Sequence, residues 1–244
     1  EKMRVYKTKL EDHPRGLRSS DKKKAVLIGA TGATGKQLLR QLLESDQWVK
    51  VTSVSRKPVL NGKGHEKLNE IVVESFDSLS STADAWTDHD VFFNCIGTTR
   101  KIAGGAKQFV DVEFGISLTA AKLAHEAGIP QASVISAGGA NADQWAPEWI
   151  HPLLYTKTIG QKEDTVRKHF SFKHVSLFRP GMLIRGYNKD SSFHRFFDST
   201  SLGLPVVLLA SAMIRDSESI TKDTKTDEPF VYTGNGCIKS SIDA

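Results

Sequence analysis

The chain has 244 residues, 39% of them hydrophobic and 25% charged, which suits one packed α/β domain with a small extra lobe and excludes global disorder. Its two cysteines, Cys95 and Cys237, form no Cys-x-x-Cys pair, which argues against a disulfide framework or a structural zinc and toward a thiol-tolerant compartment. The formal net charge of +5 is unevenly placed: residues 1–24 hold nine Lys or Arg against four acids, and the remainder carries 24 of each sign. The basic character therefore belongs to an N-terminal arm, residues 1–24, and the domain over 25–244 has no overall bias toward nucleic acid.

The arm has neither a periodic apolar face nor the apolar core of a secretory signal. It reads either as the remnant of a basic, acid-poor precursor or as an ordinary solvated arm outside the sheet. From Ala25 onward short β-like runs alternate with helical stretches. Ala25–Ala30 is the first strand, Gly35–Glu44 a helix with Leu38, Leu39, Leu42 and Leu43 on one face, and Val49–Ser55 the second strand. Residues 57–70, rich in Lys, Gly and Asn, read as a loop before a third strand, Ile71–Glu74. Asp90–Cys95 is a fourth strand, with Cys95 a small core residue.

Gln108–Ala127 reads as one long helix stopped by Gly128 and Pro130. Ser133–Ser136 is a fifth strand, Tyr155–His169 a helix and His174–Phe178 a sixth strand. The rest is a mixed lobe in which Asp216–Glu228 is polar enough to predict a mobile loop. The longest apolar stretch, Leu204–Ile214, is interrupted by Pro205 and Ser211 and is too short to cross a bilayer, so no integral membrane segment is predicted. The pattern is that of a doubly wound parallel sheet, the Rossmann architecture of short-chain dehydrogenases, with a small C-terminal lobe.

Between the first strand and the first helix lies Gly29-Ala30-Thr31-Gly32-Ala33-Thr34-Gly35. Gly29 permits a tight turn, Gly32 lets backbone approach a pyrophosphate, and Gly35 lets helix and strand pack closely. The helix N-terminus then offers amides and partial positive charge to phosphates, with the hydroxyls of Thr31 and Thr34 as further donors. An NAD site places an acid at the end of the second strand for the ribose 2′-OH. Here that edge reads Ser55-Arg56-Lys57, and a guanidinium suits a 2′-phosphate, so the cofactor is predicted to be NADP(H). Phe76 is placed to pack near the adenine, and Ser75 to contact it.

Together with that loop and Arg56-Lys57, the segments Cys95–Arg100 (CIGTTR), Phe178–Gly181 (FRPG) and Pro205–Met213 (PVVLLASAM) carry a resemblance. From about residue 24 to its end the chain resembles the atypical short-chain dehydrogenase/reductases related to the Tat-interacting protein. The resemblance implies six or seven parallel strands with NADPH across their C-terminal edge. It implies that Ile96 and Gly97 pass under the cofactor, that Pro180, Gly181 and Leu183 border the nicotinamide, and that Tyr155 is the counterpart of the catalytic tyrosine.

Short-chain reductases use a Tyr-x-x-x-Lys pair, whose spacing puts both groups on one helix face and lets the lysine depress the tyrosine pKa. Position 159 is isoleucine. Lys157 points about 200° away around the helix, and Lys162 shares the face but lies roughly 10 Å along the axis. Without a cation the phenol is expected near its intrinsic value of about 10. Where the family tends to have two adjacent serines, only Ser136 remains, so Tyr155 and Ser136 are candidate acid groups with incomplete partners.

The eight histidines have no metal-ligand spacing, and neither a nucleophile elbow nor a nucleotide-hydrolysing loop is present. Trp145 and Trp149 either line a substrate cleft or, as the favoured role, anchor a loop to the core. Two functions fit: a subunit stabilised by NADPH and docked with protein partners in a larger assembly, mitochondrial or cytoplasmic, or a reductase of a small carbonyl or enone.

Overall fold

The computed structural model describes residues 22–186, 203–220, 226 and 228–243. Its elements in chain order begin with β1 (Lys23–Ile28), α1 (Ala33–Glu44), β2 (Trp48–Ser55), β3 (Leu68–Val72), a run of 3-10 turns (Phe76–Trp86) and β4 (Val91–Asn94). There follow the short helices α2 (Arg100–Ala103) and α3 (Ala106–Val110), a π-helical stretch Asp111–Ile116, α4 (Ser117–Glu126), β5 (Gln131–Ile135), α5 (His151–Lys168) and β6 (His174–Arg179). A small pair, β7 (Met182–Ile184) and β8 (Gly203–Pro205), precedes a helix Val206–Ser219, β9 (Phe230–Thr233) and a final helix Asn235–Asp243.

Seven strands form one sheet in the order β3-β2-β1-β4-β5-β6-β9, every neighbouring pair parallel. The chain leaves β1 in one direction to reach β2 and β3, then crosses back to place β4 on β1's other side. That reversal opens a crevice beyond the C-terminal ends of β1 and β4, where ligands of doubly wound sheets bind. Both sheet faces are covered, so the inner strands are apolar on both sides. Ala25 and Leu27 of β1 pack with Leu38, Leu42, Leu209 and Met213 on one face, while Val26 and Ile28 pack with Leu79, Ala120 and Ala124 on the other.

The predicted strands and helices are present, with shifts where partners decide the ends. β1 begins at Lys23, inside the segment read as the arm, because Lys23 and Lys24 pair with β2 and the Lys23 ammonium donates to the carbonyls of Ser217 and Ile220. Residues 1–21 lie outside the described residues. β3 starts at Leu68, three residues early, because Val51 to Ser55 of β2 pair with Leu68 to Val72. The expected long helix is continuous from Ala106 to Glu126 but widens to π geometry at Asp111–Ile116, and Gly128, at φ +73, ends it.

The C-terminal lobe is where pattern reading fell short. Most of Leu204–Ile214 belongs to the helix Val206–Ser219, which buries Leu209, Ala210 and Met213 against α1 and the sheet. Gln41 donates to the Val207 carbonyl (3.1 Å) and accepts from Ser211 Oγ (2.9 Å), and Trp48 Nε1 donates to Glu218 (2.8 Å), so this helix is docked along α1. The expected mobile loop from Asp216 is therefore wrong at its start. Asp216 to Ser219 are helical, and the buried Asp216 accepts from Tyr232 Oη at 2.7 Å; residues 221–225 and 227 lie outside the described residues. Among the described residues no helix is long and apolar enough to cross a membrane.

Candidate functional site

The glycine loop turns where β1 meets α1. Gly29 has φ +84, and a Cβ there would lie 2.6 Å from the Cys95 carbonyl carbon and oxygen, so only glycine lets this turn pass against the end of β4. A side chain at Gly35 would collide with the Gly29 carbonyl, and one at Gly32 would come within 3.2 Å of it. Gly32 is the N-cap of α1 and no side chain caps it, which leaves the leading amides directed at the crevice. Thr31 is exposed, whereas Thr34 is buried. A cradle that any Cβ would fill, at an uncapped helix head, fits a pyrophosphate.

At the next strand edge Ser55 is buried and its Oγ donates to the Lys57 carbonyl (2.7 Å), which fixes the turn that exposes Arg56 and Lys57. The Arg56 guanidinium lies 5.2 Å over the Phe76 ring, holding the charge beside the crevice by cation–π attraction. Ser75 Oγ accepts from the Asp77 amide and donates to its carboxylate (2.8 Å), so this hydroxyl works as a cap for the 3-10 run.

Past β4, Cys95 is buried and its thiol is pushed up to about 12 by that burial, as befits a core residue. Ile96 is buried and Gly97 exposed. Asn94 Oδ1 accepts from the Ile96 amide (3.1 Å), and Glu113, in the π stretch, accepts from the Thr98 amide. Arg100 donates to the Glu148 carbonyl (2.9 Å), tying this loop to the one after β5.

These features line the β1/β4 crevice, and residues 29–198 match the family model described as NAD(P)H-binding. The chain belongs to that family. It is 32% identical over 205 residues to Protein HTATIP2 of Rattus norvegicus, covering 80% of this chain and 81% of that protein. It is 31% identical over 178 residues to "Protein FMP52, mitochondrial" of Meyerozyma guilliermondii, covering 72% of this chain and 71% of that protein. The oxidoreductase ylbE from Lactococcus lactis superposes with a TM-score of 0.64 over 91% of this chain and 97% of its own, at 16% identity, a likeness of fold. The chain is thus an NAD(P)H-binding, oxidoreductase-like relative of HTATIP2 and FMP52, in accord with the resemblance drawn from its CIGTTR and FRPG segments.

In many reductases the far side of such a crevice holds the proton-transfer groups. Here Tyr155 lies on α5, with the Phe109 ring 5.8 Å and the His151 ring 6.4 Å away. Burial, and then the charge of Glu113, raise its phenol above the usual value of 10, against a smaller opposite pull from Arg185. The expectation of an unshifted phenol is therefore corrected upward. Ile159, four residues on, is buried in the core.

Ser136 is also buried, and its Oγ donates to Glu163, which is held in turn by Arg179 through Nε at 2.8 Å and through its terminal nitrogen. That hydroxyl joins β5, α5 and β6 across the core. Pro180 is buried, its carbonyl accepting from the Gly138 amide (3.0 Å), and Gly181 N donates to Asn235 (2.9 Å). Leu183 packs at the edge of the core beside them.

Trp145 and Trp149 are 72% and 75% exposed, so they do not anchor their loop. That work is done by Gly160, where a Cβ would run into the backbone of Asn141 and Ala142, and by the Asn141 amide donating to the Thr156 carbonyl (3.0 Å). Sequence reasoning passed over Glu113, Glu163, Arg179 and Arg185. Nothing in one sequence says which of the acids at Asp111 and Glu113 turns inward or which cation it meets.

Proposed function

We propose that this chain holds NADP(H) in the β1/β4 crevice and serves chiefly as a cofactor-stabilised subunit, with slow or absent carbonyl turnover. The observation that carries this reading is the buried Ile159 one helical turn after Tyr155, where a lysine would depress the phenol pKa and hold the nicotinamide ribose. The cation that α5 does carry inward, Lys162, is ion-paired with Glu113 at 3.3 Å.

The pyrophosphate would rest on Gly29 to Gly35, with Thr31 at the rim, and the 2′-phosphate on Arg56 and Lys57. Ser75 and Phe76 would flank the adenine, and Ile96 and Gly97 the floor. Pro180, Gly181 and Leu183 would border the nicotinamide beside Tyr155. When bound, the cofactor supplies a hydride. The protein contributes a cradle, a buried floor and a phenol that keeps its proton at neutral pH. Binding of this kind stabilises the folded state by mass action without turnover. The mitochondrial label of FMP52 relatives supports placing such a subunit in mitochondria.

A reductase reading would need another cation acting on Tyr155; Arg185, just past β7, lowers the phenol pKa, against the larger rise from burial and Glu113. The two separate on one assay: NADPH oxidation against aldehydes, ketones and quinones, in the parent, Tyr155→Phe and Ile159→Lys. Loss of a positioned acid–base group costs about 10²–10⁴-fold in rate, so the parent should be slower than Ile159→Lys by a factor in that range. A robust parental rate that collapses in Tyr155→Phe would replace the subunit reading with the reductase.

A further inference from the structure

The loop after β4 leaves the sheet ladder, so its amides need other acceptors. Asn94 takes that of Ile96 and Glu113 that of Thr98, on either side of Gly97. A Cβ at Gly97 would lie 3.8 Å from Glu113 Oε1, so the carboxylate runs alongside this loop. Its other oxygen faces the Lys162 ammonium at 3.3 Å, and both residues are 2% exposed.

Two features make this pair more than a core contact. Burying two charges costs several kcal/mol per ion before their attraction returns it, and an apolar pair of the same size commonly stabilises as well or better. Fold stability alone gives no reason to keep them. Moreover, Glu113 lies within the only π-helical stretch among the described residues, and single π turns inside α-helices occur frequently at functional sites.

We propose that Glu113 and Lys162 are positioning residues for the cofactor: Lys162 neutralises and orients Glu113, which holds the Thr98 amide and so sets the Ile96–Thr98 floor on which the cofactor lies. The inference rests on the reading that NADPH crosses Ile96 and Gly97. It gives the inward cation of α5 a role in binding, since Lys162 is engaged at Glu113 and not at the phenol.

The test compares two double variants with the parent by calorimetric NADPH titration. Glu113→Leu with Lys162→Met removes the ion pair and any acceptor for Thr98. Glu113→Gln with Lys162→Met removes the ion pair but keeps a neutral acceptor. The first should bind NADPH about tenfold more weakly than the parent, as expected for a partly buried amide left without its acceptor, and the second should regain most of that loss. Hydrogen exchange at the Thr98 amide should be slow in the parent and the Gln variant and fast in the Leu variant. Equal affinities in the two doubles, whether both high or both low, would overturn the proposal. If the Leu double does not melt cooperatively, Glu113→Asp takes its place: it keeps the charge but draws the acceptor back, and unchanged affinity there would also overturn it. A parent that binds neither NADPH nor NADH would instead refute the cofactor reading, and the proposal with it.

Discussion

Along β1 and α1 the polar groups that matter are backbone: amides at an uncapped helix head, kept accessible by glycines that admit no Cβ. Across β5, α5 and β6 they are side chains turned inward on one another, Ser136 on Glu163, Glu163 on Arg179 and Lys162 on Glu113. The first region has its binding capacity left open toward the crevice. The second has turned much of its hydrogen-bonding capacity inward, which leaves a raised phenol at Tyr155 as its main proton-bearing group.

The difference can be broken most forcefully in the inward-turned region. Arg179→Met should leave the Glu163 carboxylate buried with only Ser136 for company and destabilise the protein by about 3–4 kcal/mol in chemical denaturation. A loss under about 1 kcal/mol would mean that the pair is solvated and the contrast overstated.

In the open region Gly29→Ala should strike binding most. Its φ of +84 and the Cys95 carbonyl 2.6 Å from the added methyl force the loop to move. NADPH affinity should fall about a hundredfold, roughly 3 kcal/mol, in calorimetry. Binding within threefold of the parent would show that the cradle does not carry the phosphates.

Asp216 extends the comparison to the C-terminal lobe. Burial pushes its carboxyl from 3.8 up to about 6, against the pull of the Tyr232 hydroxyl. The folded state therefore holds this proton more tightly than the unfolded state does. Stability from this group is full below about pH 4 and is lost as pH rises through about 6. Asp216→Asn should stabilise the protein at pH 7.5 by about 2–3 kcal/mol, read as a higher melting temperature, and leave the melting temperature unchanged near pH 4. A variant less stable than the parent at pH 7.5 would show that the ionised carboxylate is needed.

Arg56→Ala is the mildest of these changes. One charge-assisted contact is worth about 1.5–3 kcal/mol, so the parent should prefer NADPH over NADH by at least about tenfold and the variant should lose most of that preference. Equal affinities in the parent would remove Arg56 from the 2′-phosphate site. Deleting residues 1–22 should change neither cofactor affinity nor melting temperature, since among the described residues the strand pairing begins at Lys23.

By itself the sequence determined the alternation of strands and helices, the glycine loop at the first strand–helix turn, the burial of Cys95, the cationic edge at Arg56-Lys57 and the gap at Ile159. These are local facts: a turn that only glycine can make, a side-chain period, a residue type at a fixed helical offset. Tertiary structure decided the rest. Glu113 and Lys162 are 49 residues apart and meet only because α5 packs across the π stretch, and Ser136 finds Glu163 across 27 residues. The exposure of Trp145 and Trp149 and the docking of Val206–Ser219 on α1 likewise depend on what the fold brings alongside. Apolar runs and tryptophans report a capacity for burial, but which surface receives them is settled by long-range packing, and a single chain read in order carries no record of it.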